Sequence, residues 1–265
     1  MIRRDLLKVL GLAALAGAAL SGRSAHAAVP AKPFVLVHGA WHGGWCWRHV
    51  RARLIAAGHE MYTPTLTGQG ERHHLTGPDI TLDTHIDDVA RVIEWEELDG
   101  VVLVGHSYGG YVVTGVADRL KGRLARVVYL DALIPTDGRA VSDASTPEQM
   151  AAARATLIDG YRLPSPPPAW FGVPDTDAAN TAWLTRRLTD MPFACLTTPA
   201  RLPNGGANGL PRTFIRCTAP PPLPGPEPAA ARARAEGWDY HELATGHDAM
   251  VTAPAALADL LLARA

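Results

Sequence analysis

The sequence predicts an α/β fold: a mainly parallel sheet flanked by helices, with a helical cap inserted after the strand that ends at Asp131. Two observations predict it. Short apolar runs alternate with amphipathic stretches after Pro33, which is the pattern of strands joined by helical crossovers. Runs such as Val101–Val104 carry no polar residue, as expected of strands covered on both faces.

The predicted strands are short, and the predicted helices lie between them. The strands are Phe34–His38, Glu60–Pro64, Val101–His106, Val127–Asp131, Thr213–Thr218 and Tyr240–Ala244. The helices are Trp47–Ala57, Asp83–Glu97, Tyr108–Leu120, Ala229–Glu236 and Pro254–Arg264.

The interval between Asp131 and Thr213 has no convincing strand pattern. A connection of that length in a compact domain needs a function of its own. Helical pieces at Pro147–Asp159 and Asn180–Leu188 favour a cap over the sheet edge, formed by roughly residues 135–210.

Residues 1–27 have the features of a cleaved export signal of the twin-arginine type. Arg3-Arg4 precedes the uncharged apolar run Val9–Leu20, and Ala25-His26-Ala27 places small residues where a signal peptidase cleaves. The run is shorter than the ~20 residues that span a bilayer, so no membrane anchor is expected after processing. Residues 28–265 are therefore predicted to form the mature domain, in the periplasm or outside the cell.

Charge and cysteine content exclude several classes of partner. The net charge is −1 with a pI near 6.8, which gives no indication of a nucleic-acid partner. Three cysteines, Cys46, Cys195 and Cys217, are too few for a disulfide scaffold; their spacing does not decide whether two of them pair. Because C-x-x-C and H-E-x-x-H patterns are absent from the sequence, neither a metal nor another cofactor is expected. Composition leaves the oligomeric state open.

The segment Gly105-His106-Ser107-Tyr108-Gly109 lies between a strand-like run and a helix-like stretch. In this position G-x-S-x-G predicts a nucleophile elbow, a strained turn that presents the serine hydroxyl above the sheet edge. The flanking glycines leave room for the turn because a Cβ there would crowd the backbone. A glycine-rich turn without chemistry is the alternative.

Three segments together resemble the α/β-hydrolase superfamily: Phe34–Trp45, the elbow, and Gly246–Met250. They are most similar to the branch that contains plant methyl-ester esterases, hydroxynitrile lyases and bacterial carboxylesterases, including pyrethroid-type hydrolases. The resemblance implies an α/β-hydrolase fold with Ser107 as nucleophile. It extends over nearly the whole mature chain and is weakest in the cap.

A serine nucleophile needs a base and donors for the oxyanion. His247 follows the final strand, and the order Ser, acid, His along the chain is that of this fold. The backbone N–H groups of Tyr108 and Ala40 are the expected oxyanion hole. His38 and Gly39 are expected to shape the loop that carries Ala40 and to lie at the substrate pocket.

The acid is where this chain departs from the branch it resembles. Those relatives usually carry it just after the fifth strand, where this chain reads Cys217–Leu223 without a carboxylate. Asp131, which ends the neighbouring strand, is the favoured replacement, because its carboxylate could reach the histidine. Glu227 on the proline-rich loop is the second candidate, and a triad without a proper acid is the third.

The interpretation is an exported serine carboxylesterase acting on hydrophobic esters, aromatic ones among them, without a cofactor. Trp170, Phe171 and Trp183 of the cap are expected to line an apolar pocket. A hydroxynitrile lyase is a rival, but the similar lyases have a hydroxyl residue in place of Gly39 and a lysine in place of Asp248. A small-molecule binding protein on the same scaffold is the other rival, and it is favoured only by the missing acid.

Overall fold

A computed structural model describes residues 31–219 and 221–265. The predicted export signal therefore lies outside the described residues. Six parallel strands form the main sheet: β1 (Phe34–Val37), β2 (Met61–Tyr62), β3 (Val101–His106), β4 (Leu124–Leu130), β7 (Arg212–Cys217) and β8 (Asp239–Leu243). Their order across the sheet is β2-β1-β3-β4-β7-β8.

Helices cover both faces of this sheet. They are α1 (Arg48–Ala56), α2 (Leu82–Trp95), α3 (Gly109–Leu120), α7 (Glu227–Ala235), α8 (Ala249–Thr252) and α9 (Pro254–Leu262). Alternate side chains of each strand enter two hydrophobic clusters, so Val35 and Val37 pack with α2, α3 and α7 while Phe34 and Leu36 pack with α1, α8 and α9. The predicted α/β fold with a mostly parallel sheet is thus confirmed.

The interval between β4 and β7 holds three short helices, α4 (Pro147–Ala155), α5 (Ala178–Thr185) and α6 (Ala194–Thr197). It also contains an antiparallel pair, β5 (Arg162–Leu163) and β6 (Met191–Pro192). The expectation of no strand here was wrong, because two-residue strands are too short to show a period in the sequence. None of the described helices is both long and apolar enough to cross a membrane.

The carboxyl ends of the parallel strands meet at one edge of the sheet. The residues that follow β1, β3, β4 and β8 at this edge are His38, Ser107, Asp131 and the loop that carries His247. Ligands of open α/β sheets bind at this edge. The candidate residues therefore come together through topology, although they are far apart in the chain.

Candidate active site

The turn after β3 holds Ser107 in the left-handed region, with φ of 53°. Such a backbone costs a non-glycine residue about 1–3 kcal/mol and needs support from its surroundings. That support comes from three hydrogen bonds. The Ser107 N–H donates to the Leu130 carbonyl at 3.2 Å, and its carbonyl accepts from the N–H groups of Gly110 and Leu133 at 3.0 Å each. The serine side chain is thereby presented at the sheet edge.

Two glycines make this turn possible. A Cβ at Gly105 would lie 2.7 Å from the Gly109 carbonyl oxygen, and one at Gly109 would lie 2.8 Å from the His38 carbonyl oxygen. The second contact means that the start of α3 packs directly on the loop after β1. The first residues of the helix and of that loop are consequently neighbours.

The Asp131 carboxylate and the His247 imidazole are joined by a hydrogen bond of 2.6 Å between Oδ2 and Nδ1. Both residues are buried. Because an ionised carboxylate can only accept, the imidazole carries its proton on Nδ1, which leaves Nε2 to act as a base. This is the orientation that a serine hydrolase requires of its histidine.

The second oxygen of Asp131 is also occupied. Its Oδ1 accepts from the guanidinium of Arg216 at 2.5 Å and from the Cys217 N–H at 3.2 Å. Arg216 is itself buried, so the candidate acid is fixed from two sides. Arg216 was not among the predicted site residues.

Glu227, the second candidate acid, has a different environment. Its side chain is exposed and bonds Arg234 at 2.6 Å, with the Nε of Arg216 at 3.4 Å. The hydrogen bond from Arg234 is the main reason that the pKa of Glu227 is lowered. The carboxylate that meets His247 is therefore that of Asp131.

His247 lies beside the elbow. The preceding residue of the elbow, His106, donates its Nε2–H to the His247 carbonyl at 3.0 Å, and the two rings are 4.5 Å apart. Within residues 31–219 and 221–265, the Ser107 hydroxyl forms no hydrogen bond. In hydrolases without substrate the serine–histidine bond is often long and tightens in the complex.

The two expected oxyanion donors are unengaged in the described part of the chain: neither the Ala40 N–H nor the Tyr108 N–H forms a hydrogen bond there. Tyr108 directly follows Ser107 in the chain. The loop of Ala40 comes close to the nucleophile at Gly39, where a Cβ would lie 2.9 Å from the Ser107 Cβ. Two backbone donors beside a serine can stabilise the negative oxygen of a tetrahedral intermediate.

Four buried histidines around the elbow were not predicted as a group: His38, His42, His85 and His106. Each is isolated in the sequence, so no spacing indicates that they meet. Burial lowers the pKa of His38 to about 3, that of His85 to about 4 and that of His106 well below its usual value. These three are therefore neutral, and they act as hydrogen-bonding groups of fixed direction.

His38 and Tyr108 illustrate what these neutral rings do. His38 accepts the Leu66 N–H at 3.0 Å and donates to the Gly39 carbonyl at 2.7 Å, so it holds the loop. Its predicted place in the substrate pocket is corrected, since it is fully buried. The Tyr108 hydroxyl donates to His85 Nδ1 at 2.9 Å, which anchors this side chain inside the core.

The three aromatic side chains of the cap differ in exposure: Trp170 is exposed, whereas Phe171 and Trp183 are buried. Trp170 is 45% exposed and lies 6.3 Å from the His247 ring between centroids, with Trp41 at 5.8 Å. Phe171 is buried against His42. Trp183 packs on Trp45 in the hydrophobic cluster of α1 and α9, so the expectation that it lines the pocket is corrected: it is a core residue.

Trp170 lines two cavities. The first, of about 270 Å³, is also lined by His247, Cys217, Pro222 and Leu223. The second is a more open, mainly apolar groove of about 390 Å³ that is also lined by Trp41, Leu163 and neighbouring prolines. The apolar walls favour a hydrophobic ligand.

The cysteine thiols are the other potential nucleophiles. In the described residues the three cysteines are buried and unpaired, and no group of His, Cys, Asp and Glu side chains has the arrangement of a metal site. Burial raises the pKa of each thiol, so the cysteines are poor nucleophiles.

Comparison with known proteins gives consistent matches. The model of the alpha/beta hydrolase family matches residues 34–260. The chain is 42% identical over 241 residues to a carbendazim hydrolyzing esterase of Nocardioides sp. (strain SG-4G), covering 87% of this chain and 98% of that protein. It is 37% identical over 109 residues to methylesterase 7 of Arabidopsis thaliana, covering 39% and 41%.

Solved structures agree on the fold. An extracellular alpha/beta-hydrolase from a Paenibacillus species superposes with a TM-score of 0.75 at 23% identity, over 88% of this chain and 98% of that one. A pyrethroid hydrolase superposes with a TM-score of 0.67 at 20% identity, over 88% and 97%. The resemblance expected from the sequence is confirmed: the chain belongs to the alpha/beta hydrolase family and is an ester hydrolase.

Proposed function

We propose that the protein is a serine carboxylesterase that hydrolyses hydrophobic esters, aromatic ones among them, through an acyl-enzyme. The observation that carries the proposal is the 2.6 Å bond between Asp131 and His247 Nδ1, beside a serine held at a φ of 53°. The bond leaves His247 Nε2 free to act as a base, and the strained turn presents the serine hydroxyl at the same edge of the sheet.

The proposed mechanism uses only residues of this chain. The Ser107 oxygen attacks the ester carbonyl while His247 Nε2 takes the hydroxyl proton, and Asp131 stabilises the imidazolium that forms. The Ala40 and Tyr108 N–H groups bind the resulting oxyanion. His247 then returns the proton to the departing alcohol. Water, deprotonated by the same histidine, hydrolyses the acyl-Ser107 ester and regenerates the hydroxyl.

The lyase alternative is less well supported. A hydroxyl side chain in place of Gly39, as in the similar lyases, would begin with a Cβ 2.9 Å from both the Ser107 Cβ and His106 Nδ1. Asp248, in place of their lysine, is buried and paired with His42. The binding-protein alternative was favoured by the missing acid, and the position of Asp131 removes that support.

Fluorophosphonate labelling tests the proposal directly. We expect one equivalent of probe to be bound at Ser107 of the purified protein. The unlabelled protein should turn over p-nitrophenyl butyrate, and any cleavage of a cyanohydrin should be slower. Carbendazim belongs in the same panel, because the relative of 42% identity is an esterase of that compound. Absence of labelling together with absence of ester turnover would reject the proposal. Cyanohydrin cleavage without ester hydrolysis would favour the lyase.

Trp170 provides a prediction about substrate preference. Trp170→Ala should raise KM for p-nitrophenyl and naphthyl esters by ~10-fold with little change in kcat, because it removes a wall shared by both cavities. Small aliphatic esters should be affected less. Trp95→Ala is the matched control, since Trp95 is 81% exposed on α2. Equal KM values for the aromatic esters in Trp170→Ala and wild type would contradict the assignment.

We also propose that the enzyme is exported, from Arg3-Arg4 and the apolar run that follows. Recovery of the protein from the periplasm or medium without residues 1–27 would support this proposal. Recovery of the full-length chain from the cytoplasm alone would contradict it.

A further inference from the structure

The buried histidine–carboxylate pair His42 and Asp248 has no part in the mechanism above. His42 Nε2 and Asp248 Oδ2 are 3.0 Å apart, and both residues are 0% exposed. His42 belongs to the loop after β1, and Asp248 directly follows His247 in the loop after β8. The pair therefore joins the loop of the oxyanion donor to the loop of the base.

The sheet order makes this connection unusual. Three strands separate β1 from β8, which places the two strands about 19 Å apart at the usual ~4.8 Å spacing. Their loops thus have to cross the elbow to meet. The hydrogen bond between His42 and Asp248, called the tie below, can set the distance between the oxyanion donor and the base. The position of neither strand sets this distance alone.

On the His42 side, the pair holds the peptide that follows the expected oxyanion donor, the Ala40 N–H. His42 Nδ1 donates to the Ala40 carbonyl at 2.8 Å, and the N–H of the same peptide, from Trp41, donates to Gln69 Oε1 at 2.6 Å. Trp41 has a φ of 67°, so this peptide is held in a strained conformation. The Ala40 N–H lies on the adjoining peptide, so movement of the held peptide would displace this oxyanion donor.

On the Asp248 side, the pair holds the start of α8. The Asp248 N–H donates to the Phe171 carbonyl at 3.0 Å, and the Asp248 carbonyl accepts from Val251 and Thr252. The preceding carbonyl, of His247, accepts from His106 at 3.0 Å. Movement of Asp248 would therefore displace the backbone of the base.

The hydrogen bonds also fix the number of protons in the pair. The Ala40 carbonyl can only accept, so His42 Nδ1 carries a proton. If Nε2 carried no proton and the carboxylate were ionised, a nitrogen lone pair would face an oxygen lone pair at 3.0 Å, and the two would repel each other. A second proton must therefore lie between Nε2 and Oδ2, and the pair is neutral as a unit.

We propose that His42 and Asp248 are positioning residues for ester hydrolysis: their proton-sharing bond fixes the position of the Ala40 N–H relative to His247. The inference depends on the proposed serine mechanism. Neither residue touches the substrate. Loss of the tie should lower kcat, because the oxyanion donor and base are misaligned in the transition state, and should leave KM nearly unchanged.

Three variants test the tie by kinetics with p-nitrophenyl butyrate. His42→Phe keeps a ring against Trp45 and Phe171 but loses both hydrogen bonds, and kcat should fall ~10²-fold, as for loss of one oxyanion donor. Asp248→Ala should show a similar loss. Asp248→Asn should remain within about 5-fold of wild type, because its amide can donate to a neutral His42 Nε2.

The double variant His42→Phe/Asp248→Val covers the case in which a single variant does not fold. Replacing both partners by apolar groups avoids a buried unpaired charge. Its kcat loss should equal that of His42→Phe alone, since the two residues act as a unit. His59→Phe is the matched control: His59 also donates Nδ1–H to a backbone carbonyl, that of Lys32, but at the opposite end of β1.

The outcomes separate this inference from the proposed function. Folded His42→Phe and Asp248→Ala variants with kcat within about 3-fold of wild type would overturn the tie, as would losses that multiply in the double variant. Equal losses in Asp248→Asn and Asp248→Ala would also overturn it. If Ser107→Ala keeps the activity of the wild type, the proposed function fails instead.

The shared proton makes a second prediction, on stability. Burial by itself lowers the pKa of His42, but the charge and hydrogen bond of Asp248 outweigh it, and the pKa is raised above 6.5. The folded protein thus keeps a proton that the unfolded chain releases. This stabilisation is complete below pH 6.5 and is lost as pH rises through the raised pKa.

Chemical unfolding from about pH 7 to pH 9 measures this effect. The unfolding equilibrium constant of the wild type should rise by up to about tenfold per pH unit relative to Asp248→Asn, which needs no second proton. Among the described residues, the other titratable groups around the pair are His38, His106, His247, Cys46, Cys217 and Glu71. His38 and His106 stay neutral and both thiols stay protonated across this range. Parallel curves for the two proteins would contradict the shared proton.

Discussion

Replacing Ser107 with alanine should lower kcat for p-nitrophenyl butyrate by a factor on the order of 10⁶ while the protein remains folded. In the proposed mechanism the hydroxyl oxygen is the atom that forms the acyl-enzyme, and no described neighbour offers a substitute. Burial has raised the pKa of Cys46, Cys195 and Cys217, which keeps them as unreactive thiols. The residual rate should be that of the oxyanion donors and binding alone.

Stability provides the control for this variant. At a φ of 53°, serine carries backbone strain that glycine would not. Ser107→Gly should therefore be as inactive as Ser107→Ala but more stable by roughly 1 kcal/mol. A thermal melt of the three proteins measures this ranking. Turnover of Ser107→Ala within tenfold of wild type would remove the nucleophile assignment and the mechanism with it.

The parts of the fold that periodicity can express were predictable. Buried parallel strands such as Val101–His106 appear as continuous apolar runs, and an amphipathic helix such as Leu82–Trp95 shows the 3.6-residue period. The antiparallel pair at Arg162–Leu163 and Met191–Pro192 was not, because its pairing depends on residues distant in the chain. Trp183 was misplaced for a related reason: an aromatic in a cap segment can face either the core or the pocket.

The candidate site was predictable where a residue is tied to an element end. Ser107 lies in a recognisable turn, and His247 and Asp131 follow strands whose ends share one edge of the sheet. His42, Asp248 and Arg216 carry no such signal. Their importance comes from partners 206 or 85 positions away in the chain, and a pairing of that kind becomes visible only in the folded structure.

Asp131→Asn should reduce kcat by about 10⁴. An asparagine amide would fill the same space and could still accept from Arg216 and Cys217 through its oxygen. Its NH₂ group would then face His247 Nδ1 and donate to it, which moves the imidazole proton to Nε2. In that tautomer the histidine cannot take the proton of Ser107. KM should change little, because Asp131 is buried away from the ligand cavities.

Glu227→Gln is the matched control, since Glu227 was the other candidate acid. Its exposed carboxylate bonds Arg234 and approaches Arg216, and an exposed pair contributes less than about 1 kcal/mol. Its kcat should therefore stay within about 3-fold of wild type. The comparison is decisive because both variants remove one negative charge beside Arg216, but only Asp131→Asn alters the partner of His247. If Glu227→Gln loses activity and Asp131→Asn does not, the acid is Glu227, and the 2.6 Å bond has no part in catalysis.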